Sequence, residues 1–165
     1  MKYFDIILVA ATTTTALIAG LMYSYLISIN PAFARLTDRE YISAMKAINE
    51  AIQNPLFFMS FMGAALLLPL ATYLNYHQPI ELRFLFLLAA SIIYIIGCFG
   101  ITIAYNVPLN NILANFSPDL SSSEQITSMR LSFEKPWNYW HTIRTFASTI
   151  SLILTVIACL SFSGK

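Results

Sequence analysis

Four long apolar runs divide the chain, and each is long enough to cross a membrane as a helix. They cover residues 6–29, 56–74, 84–105 and 137–162. About 20 apolar residues in a helix span the roughly 30 Å hydrocarbon core of a bilayer. The first run is longer than the roughly 7–15 residues of a signal-peptide core, so we interpret it as a retained span. The pattern therefore predicts four transmembrane helices.

Two amphipathic segments lie in the first and third connections. Each opens with a capping-box pattern, in which a Ser or Thr and a Glu three residues later satisfy each other's backbone donors. The segments and their boxes are 38–53 with Thr37 and Glu40, and 122–135 with Ser121 and Glu124. Apolar residues recur at helical spacing in both, so we predict two amphipathic cap helices.

Prolines predict where these helices end. Asn30-Pro31 is expected to stop the first span, and Lys135-Pro136 the second cap helix, because proline removes a backbone donor and restricts the preceding residue. A short turn joins spans two and three, so the spans form an up-down-up-down bundle with both caps on one membrane face. Residues 1–165 are thus predicted to be one all-α integral membrane domain.

Composition agrees with this class. Hydrophobic residues make up 58% of the 165 residues and charged residues only 10%, against roughly 25% charged in soluble domains. The net charge of +1 gives no basic surface for nucleic acid. The expected partners are membrane lipids and a lipophilic small molecule, and the pattern does not indicate an oligomeric state.

The distribution of positive charges indicates how the protein is oriented in the membrane. Five lie in the connections of the capped face and three on the other side: Arg35, Arg39, Lys46, Arg130 and Lys135 against Lys2, Arg83 and Lys165. The positive-inside rule then places the caps in the cytoplasm, with the plasma membrane as the expected location.

The topology brings a set of polar residues to the capped face. Here lie His141 and Arg144, one helical turn apart, with Asn106 and Asn110 at the end of span three and Asn54 before span two. Histidine exchanges a proton near neutral pH, and a neighbouring arginine stabilises an anion that forms. The asparagine amides are suited either to orienting a ligand or to capping helix ends.

Two tryptophans accompany these residues at helical spacing. Trp137 is four residues before His141, and Trp140 four before Arg144, so each polar side chain is expected to stack beside its own indole. The competing interpretation is an interfacial aromatic belt with a snorkelling arginine. We predict a shared pocket for these residues at the membrane face.

Motifs for metal, phosphate or nucleophilic chemistry do not occur in the sequence. There is no HExxH, and the two histidines are predicted on opposite sides of the membrane, so no protein-built metal centre is expected. No cofactor is predicted. Haem or quinone binding stays open, with His141 as the one credible axial ligand.

Two segments resemble the anthrone oxygenase family of small four-span membrane proteins. They are TIAYNVPLNNIL, residues 102–113, and WNYWHTIRTFAS, residues 137–148. The resemblance implies oxidation of an anthrone to an anthraquinone by dioxygen, without an obvious metal or flavin. It adds Thr102 to the candidate substrate-binding residues, alongside Asn106, Asn110, Trp137, Trp140 and Asn54, with His141 and Arg144 as the catalytic pair.

The leading interpretation is therefore a membrane-embedded, cofactor-independent oxygenase-like enzyme acting on an aromatic or quinone-like lipophile. The alternatives are a non-enzymatic membrane subunit or lipophile-binding protein, and a haem- or quinone-binding redox protein. The spans contain no charge deep in the bilayer, which disfavours a transporter.

Overall fold

The structure is a computed structural model that describes residues 3–161. Within that range it contains helices and turns but no strand, and four helices are long and apolar enough to cross a membrane. The prediction of an all-α membrane bundle is confirmed. The predicted C-terminal boundary at Phe162 lies outside the described residues.

Five helices build the fold over residues 3–161. Helix α1 runs from Tyr3 to Phe33, the cap helix α2 is Asp38–Ala51, and α3 is Pro55–Leu74. Helix α4 is Leu82–Ala114, and α5 is Ser123–Leu160. A short 3₁₀ turn, Pro118–Leu120, precedes α5.

Helix α1 continues through Pro31 because its backbone widens before the proline. Residues Tyr25–Ile29 form a π-helical turn, in which the Asn30 N–H donates to the Tyr25 carbonyl five residues back. The predicted stop at Pro31 was therefore wrong. Such wide turns accommodate the loss of the proline N–H as a hydrogen-bond donor. They also occur often at functional sites.

Helix α4 also widens into π-helical turns before a proline. Two π-helical stretches, Tyr94–Gly100 and Thr102–Asn106, precede Pro108, and the Val107 N–H donates to the Thr102 carbonyl. Helix α4 therefore extends to Ala114, beyond the predicted span end at residue 105.

Pro136 does not separate a cap helix from a span. The predicted elements 122–135 and 137–162 are one continuous helix, α5, with Pro136 inside it. The correction has a physical basis, because a proline inside a long helix costs one hydrogen bond, and packing on both sides of it offsets that loss. A single helix therefore links the cap to the membrane-spanning part.

The capping boxes start both cap segments. The Thr37–Glu40 box is confirmed: the Thr37 N–H donates to the Glu40 carboxylate at 2.9 Å, and the Glu40 N–H to the Thr37 hydroxyl at 3.4 Å. The second box lies one residue later than predicted. Ser122 pairs with Gln125, whereas the Ser121 hydroxyl donates to the Ser117 carbonyl at 2.8 Å.

Two apolar clusters stabilise the molecule. One fills the four-helix bundle, where the Gly97 backbone of α4 packs against the Ala147 side chain of α5. The other lies under the cap, between the end of α1, α2, the end of α4 and the start of α5. Its buried members are Tyr25, Tyr41, Ile42, Met45, Leu113, Ile126, Phe133 and Trp137.

Two cations bind the cap to the rest of the fold. Arg130 donates to the Leu36 carbonyl at 2.8 Å, to the Asp38 carboxylate at 3.0 Å and to the Glu134 carboxylate at 2.7 Å. Lys46 donates to the Ala114 carbonyl at 2.9 Å, at the C-terminal end of α4. A cation is favourable at a helix C-terminus, so the Lys46 contact stabilises the end of α4.

Candidate functional site

His141 lies fully buried where α1 and α5 pack together. Its Nε2 is 3.1 Å from the Met22 carbonyl, and its Nδ1 is 3.2 Å from Nε and 3.1 Å from Nη2 of Arg144. A carbonyl only accepts and a guanidinium only donates. These partners assign a neutral imidazole that carries its proton on Nε2 and uses the Nδ1 lone pair to bind Arg144.

Arg144 is also buried, with 7% of its surface exposed. Its third nitrogen, Nη1, donates to the Thr102 hydroxyl at 3.4 Å, and the Thr102 hydroxyl donates to the Cys98 carbonyl at 2.7 Å. None of the ion pairs within residues 3–161 includes Arg144. A buried guanidinium held only by neutral acceptors has strong electrostatic affinity for an anion.

Both polar side chains stack on one indole, that of Trp137. The imidazole of His141 is parallel to it, with centroids 5.0 Å apart and 12° between the planes. The Arg144 Cζ lies 5.0 Å from the same ring, within cation–π range. The expectation of a separate indole for Arg144 was wrong. Trp140 stacks instead on Tyr105 of α4, with the ring centroids 3.7 Å apart.

Asn106 and Asn110 bind Trp137 rather than each other. The Trp137 indole N–H donates to Asn110 Oδ1 at 2.7 Å, and Asn106 Nδ2 donates to the Trp137 carbonyl at 3.2 Å. This fixes the amide of Asn106, whose Oδ1 is buried without a protein partner. A buried acceptor of this kind costs about 1–3 kcal/mol unless something donates to it.

Asn54 is not part of the cluster. Its Oδ1 accepts from the Phe57 N–H at 3.0 Å and its Nδ2 donates to the Ala51 carbonyl at 2.9 Å, so the side chain caps α3 and closes the connection from α2. Its inclusion among the substrate-binding residues is corrected, because both ends of its amide are used in capping.

Tyr25 and Thr145 complete the site, and the sequence pattern did not single them out. The Tyr25 ring lies 5.5 Å from the imidazole and 5.7 Å from the indole. The Thr145 hydroxyl donates to the His141 carbonyl at 2.8 Å and lies 3.4 Å from Nε2. Thr145 is four residues after His141, and this spacing indicates that the two share a helix face. Tyr25 comes from another span, so no spacing along α5 indicates its place in the site.

The site lies level with the membrane face beneath the cap. A Cβ on Gly63 of α3 would be 3.2 Å from the Thr14 side chain of α1, which sets the register of these antiparallel helices. Eight residues further along each helix in the same direction come Met22 and Pro55, the first residue of the shortest span. His141, which contacts Met22, is therefore near the edge of the hydrocarbon layer.

The predicted residues thus meet, but as a packed cluster rather than an open pocket. His141, Arg144, Thr102, Asn106, Asn110 and Trp137 are joined by direct contacts, with His141 and Asn106 fully buried. In the part of the chain from residue 3 to 161, no group of three His, Cys, Asp or Glu side chains is arranged to hold a metal ion.

Comparison with known families gives one match, to anthrone oxygenase, over residues 55–154. The chain belongs to the anthrone oxygenase family. The matched region contains all six residues of the cluster named above and leaves out Met22 and Tyr25 of α1. No curated protein and no solved structure matches the chain.

Proposed function

We propose that the protein is a membrane-embedded oxygenase-like enzyme that oxidises an aromatic or quinone-like lipophile at the His141–Arg144 pair. The observation that carries the proposal is this pair itself: a neutral imidazole in direct contact with a buried guanidinium that has no carboxylate partner among the described residues. Membership of the anthrone oxygenase family supports the class of reaction.

Dioxygen is the only reagent besides the anthrone that the proposed reaction consumes. An anthrone carries an acidic methylene group between two aromatic rings. Loss of one methylene proton leaves an electron-rich anion, which reduces dioxygen and forms a carbon–oxygen bond. The O–O bond then breaks and the second methylene hydrogen leaves, so that one anthrone and one dioxygen give one anthraquinone and one water. Dioxygen is the oxidant, and no other electron acceptor is required.

Each residue of the cluster has a role in this reaction. His141 accepts the methylene proton through Nδ1, the nitrogen that carries no proton in the resting geometry. Arg144 holds the oxygen of the resulting enolate, and Thr102 orients the guanidinium. The ring face of Trp137 supports the His141 and Arg144 side chains. Asn110 accepts from the Trp137 indole N–H, and Asn106 donates to the Trp137 backbone carbonyl.

The reaction proposed uses no resident cofactor. The competing possibility, haem or quinone bound near His141, is tested by a visible absorption spectrum of the purified protein. The proposal also places the protein in the plasma membrane with the cap in the cytoplasm, as the positive-inside rule favours.

The direct test is turnover of anthrone by the purified protein in lipid vesicles. Anthrone reacts slowly with dioxygen unaided, so the rate with His141→Gln protein in the same vesicles is subtracted. We expect one dioxygen consumed and one anthraquinone formed per anthrone, without hydrogen peroxide release. A rate equal to that of the variant would contradict the proposal.

Complete burial of His141 favours a second candidate, a lipophile-binding protein without catalysis. A side chain this enclosed has the packing expected of a structural histidine. The two candidates differ in one observable: the binding protein retains anthrone unchanged in the presence of dioxygen, whereas the enzyme releases anthraquinone.

A further inference from the structure

In the resting structure the proposed base is blocked by its own neighbour. Two nitrogens of Arg144, Nε and Nη2, point at the single lone pair of His141 Nδ1, at 3.2 and 3.1 Å. The other ring nitrogen faces the Met22 carbonyl and must carry the proton. Neither nitrogen of His141 is therefore free to take a proton from a substrate.

Arg144 is held in this position only weakly. Its strongest alternative contact is to the Thr102 hydroxyl, at 3.4 Å, and it makes no ion pair within the described part of the chain. The bond from the guanidinium to a charged oxygen gains the Coulomb attraction of opposite charges, which its bond to the neutral imidazole lacks. An oxyanion that reaches the Nε–Nη2 edge therefore outcompetes the imidazole.

We infer that an oxyanion of the ligand displaces His141 from Arg144 and thereby exposes the Nδ1 lone pair as the base. The inference rests on the proposed function and adds a condition to it: the site is activated by a lipophile whose oxygen is already ionised, as in a phenolate, or strongly polarised, as in the anthrone carbonyl. A hydrocarbon of the same shape leaves the pair intact and the base blocked.

Replacement of His141 by an oxyanion at Arg144 requires no rearrangement beyond these two side chains. His141 and Arg144 are both supported on the Trp137 ring, so a shift of the guanidinium along the ring face keeps its cation–π contact. The imidazole stays anchored by Met22 through Nε2. Only the bond between the two side chains has to break.

The experiment uses the chain's histidine content. The sequence has two histidines, so ¹⁵N-histidine labelling gives His141 and a built-in control, His77 in the opposite turn. The probe is the anion of 2-hydroxyanthraquinone, which has no methylene hydrogen to lose, and anthracene is the matched hydrocarbon. Both are added to the full-length protein in lipid nanodiscs, with Trp fluorescence quenching as the readout of binding.

We expect the phenolate to move the His141 Nδ1 resonance downfield, as a nitrogen does when it loses a donated hydrogen bond, and to leave His77 unchanged. Anthracene should move neither. Arg144→Met protein should show the downfield position without any probe.

Three results overturn the inference. Phenolate binding with an unchanged Nδ1 resonance contradicts the displacement alone and leaves the proposed function intact, provided anthrone is still turned over. An equal shift with anthracene shows that the oxyanion is not the trigger. Absence of phenolate binding contradicts the inference, and when combined with absence of anthrone turnover it contradicts the proposed function as well.

Discussion

The indole of Trp137 lies parallel to the imidazole of His141, with the ring centroids 5.0 Å apart. The same indole faces the Arg144 guanidinium and donates its N–H to Asn110. Trp137 is therefore the common support of the proposed base and the proposed anion holder, and the two tryptophans of the predicted site are not equivalent.

Trp137→Phe should impair activity more than Trp140→Phe. Phenylalanine keeps part of the stacking surface but loses the indole N–H and weakens the cation–π contact, worth about 1–2 kcal/mol for a desolvated pair, or about tenfold in rate. Trp140 stacks on Tyr105 outside the cluster, so its substitution serves as the matched control. Rates of anthrone oxidation in lipid vesicles compare the two. Equal losses in both variants would mean that the indoles act only as interfacial anchors.

Asn110→Leu should destabilise the site by leaving the Trp137 N–H without an acceptor. The expected loss is about 1–3 kcal/mol in the free energy of unfolding. Asn111→Leu is the control, since Asn111 is the next residue of the same helix and is exposed. Thermal unfolding followed by Trp fluorescence measures both. If the control falls as far as Asn110→Leu, the effect comes from the helix and not from the indole contact.

Gly97→Ala should destabilise the bundle, whereas Gly20→Ala should not. A Cβ on Gly97 would be 2.7 Å from the Ala147 Cβ, which forces α4 and α5 apart, and overpacking of this kind costs about 1–3 kcal/mol. A Cβ on Gly20 meets nothing within 4 Å, and alanine is the better helix former. Thermal stability in one detergent compares the two; an unchanged midpoint for Gly97→Ala would contradict the described packing.

Acid should loosen the cap through Asp38. The hydroxyl of Thr127, then the Arg130 guanidinium, hold the pKa of the Asp38 carboxyl below its ordinary value of 3.8. A lowered pKa in the folded state adds stability at pH values above the ordinary value, and that contribution is lost as the pH falls through the folded-state pKa. Asp38→Asn should therefore reduce stability at neutral pH and flatten its decline in acid. Unfolding midpoints of the wild-type and Asp38→Asn proteins, measured from neutral pH to below the ordinary carboxyl pKa, test the claim. Parallel curves for the two proteins would refute it.

Much of the fold could be predicted because apolar periodicity and length determine it. Four runs of spanning length, and the Thr37–Glu40 capping box, were sufficient for the four spans and the first cap helix. The absence of helix ends at Pro31, Pro108 and Pro136 could not be predicted, since π-helical turns before Pro31 and Pro108 and tertiary packing around Pro136 override the local preference.

The site could be predicted only in part. Spacing along α5 brought His141, Arg144 and Trp137 together, because residues three and four apart share a helix face. The contact of His141 with the Met22 carbonyl and the stacking of Tyr25 depend on how α1 packs against α5, which one sequence does not encode locally. Asn54 shows the reverse: its place before a proline already indicated the capping role that the structure gives it.

The central claim is that His141 is the base, and the most direct measurement is anthrone turnover by His141→Gln. Glutamine retains much of the volume and hydrogen-bonding capacity but accepts no proton near neutral pH. We predict a loss of about 100- to 10,000-fold in rate, with binding of 2-hydroxyanthraquinone and the unfolding midpoint largely retained. Arg144→Lys measured alongside should also be impaired, because an ammonium does not reproduce the planar fork that holds an oxyanion. Full activity in His141→Gln would contradict the base mechanism.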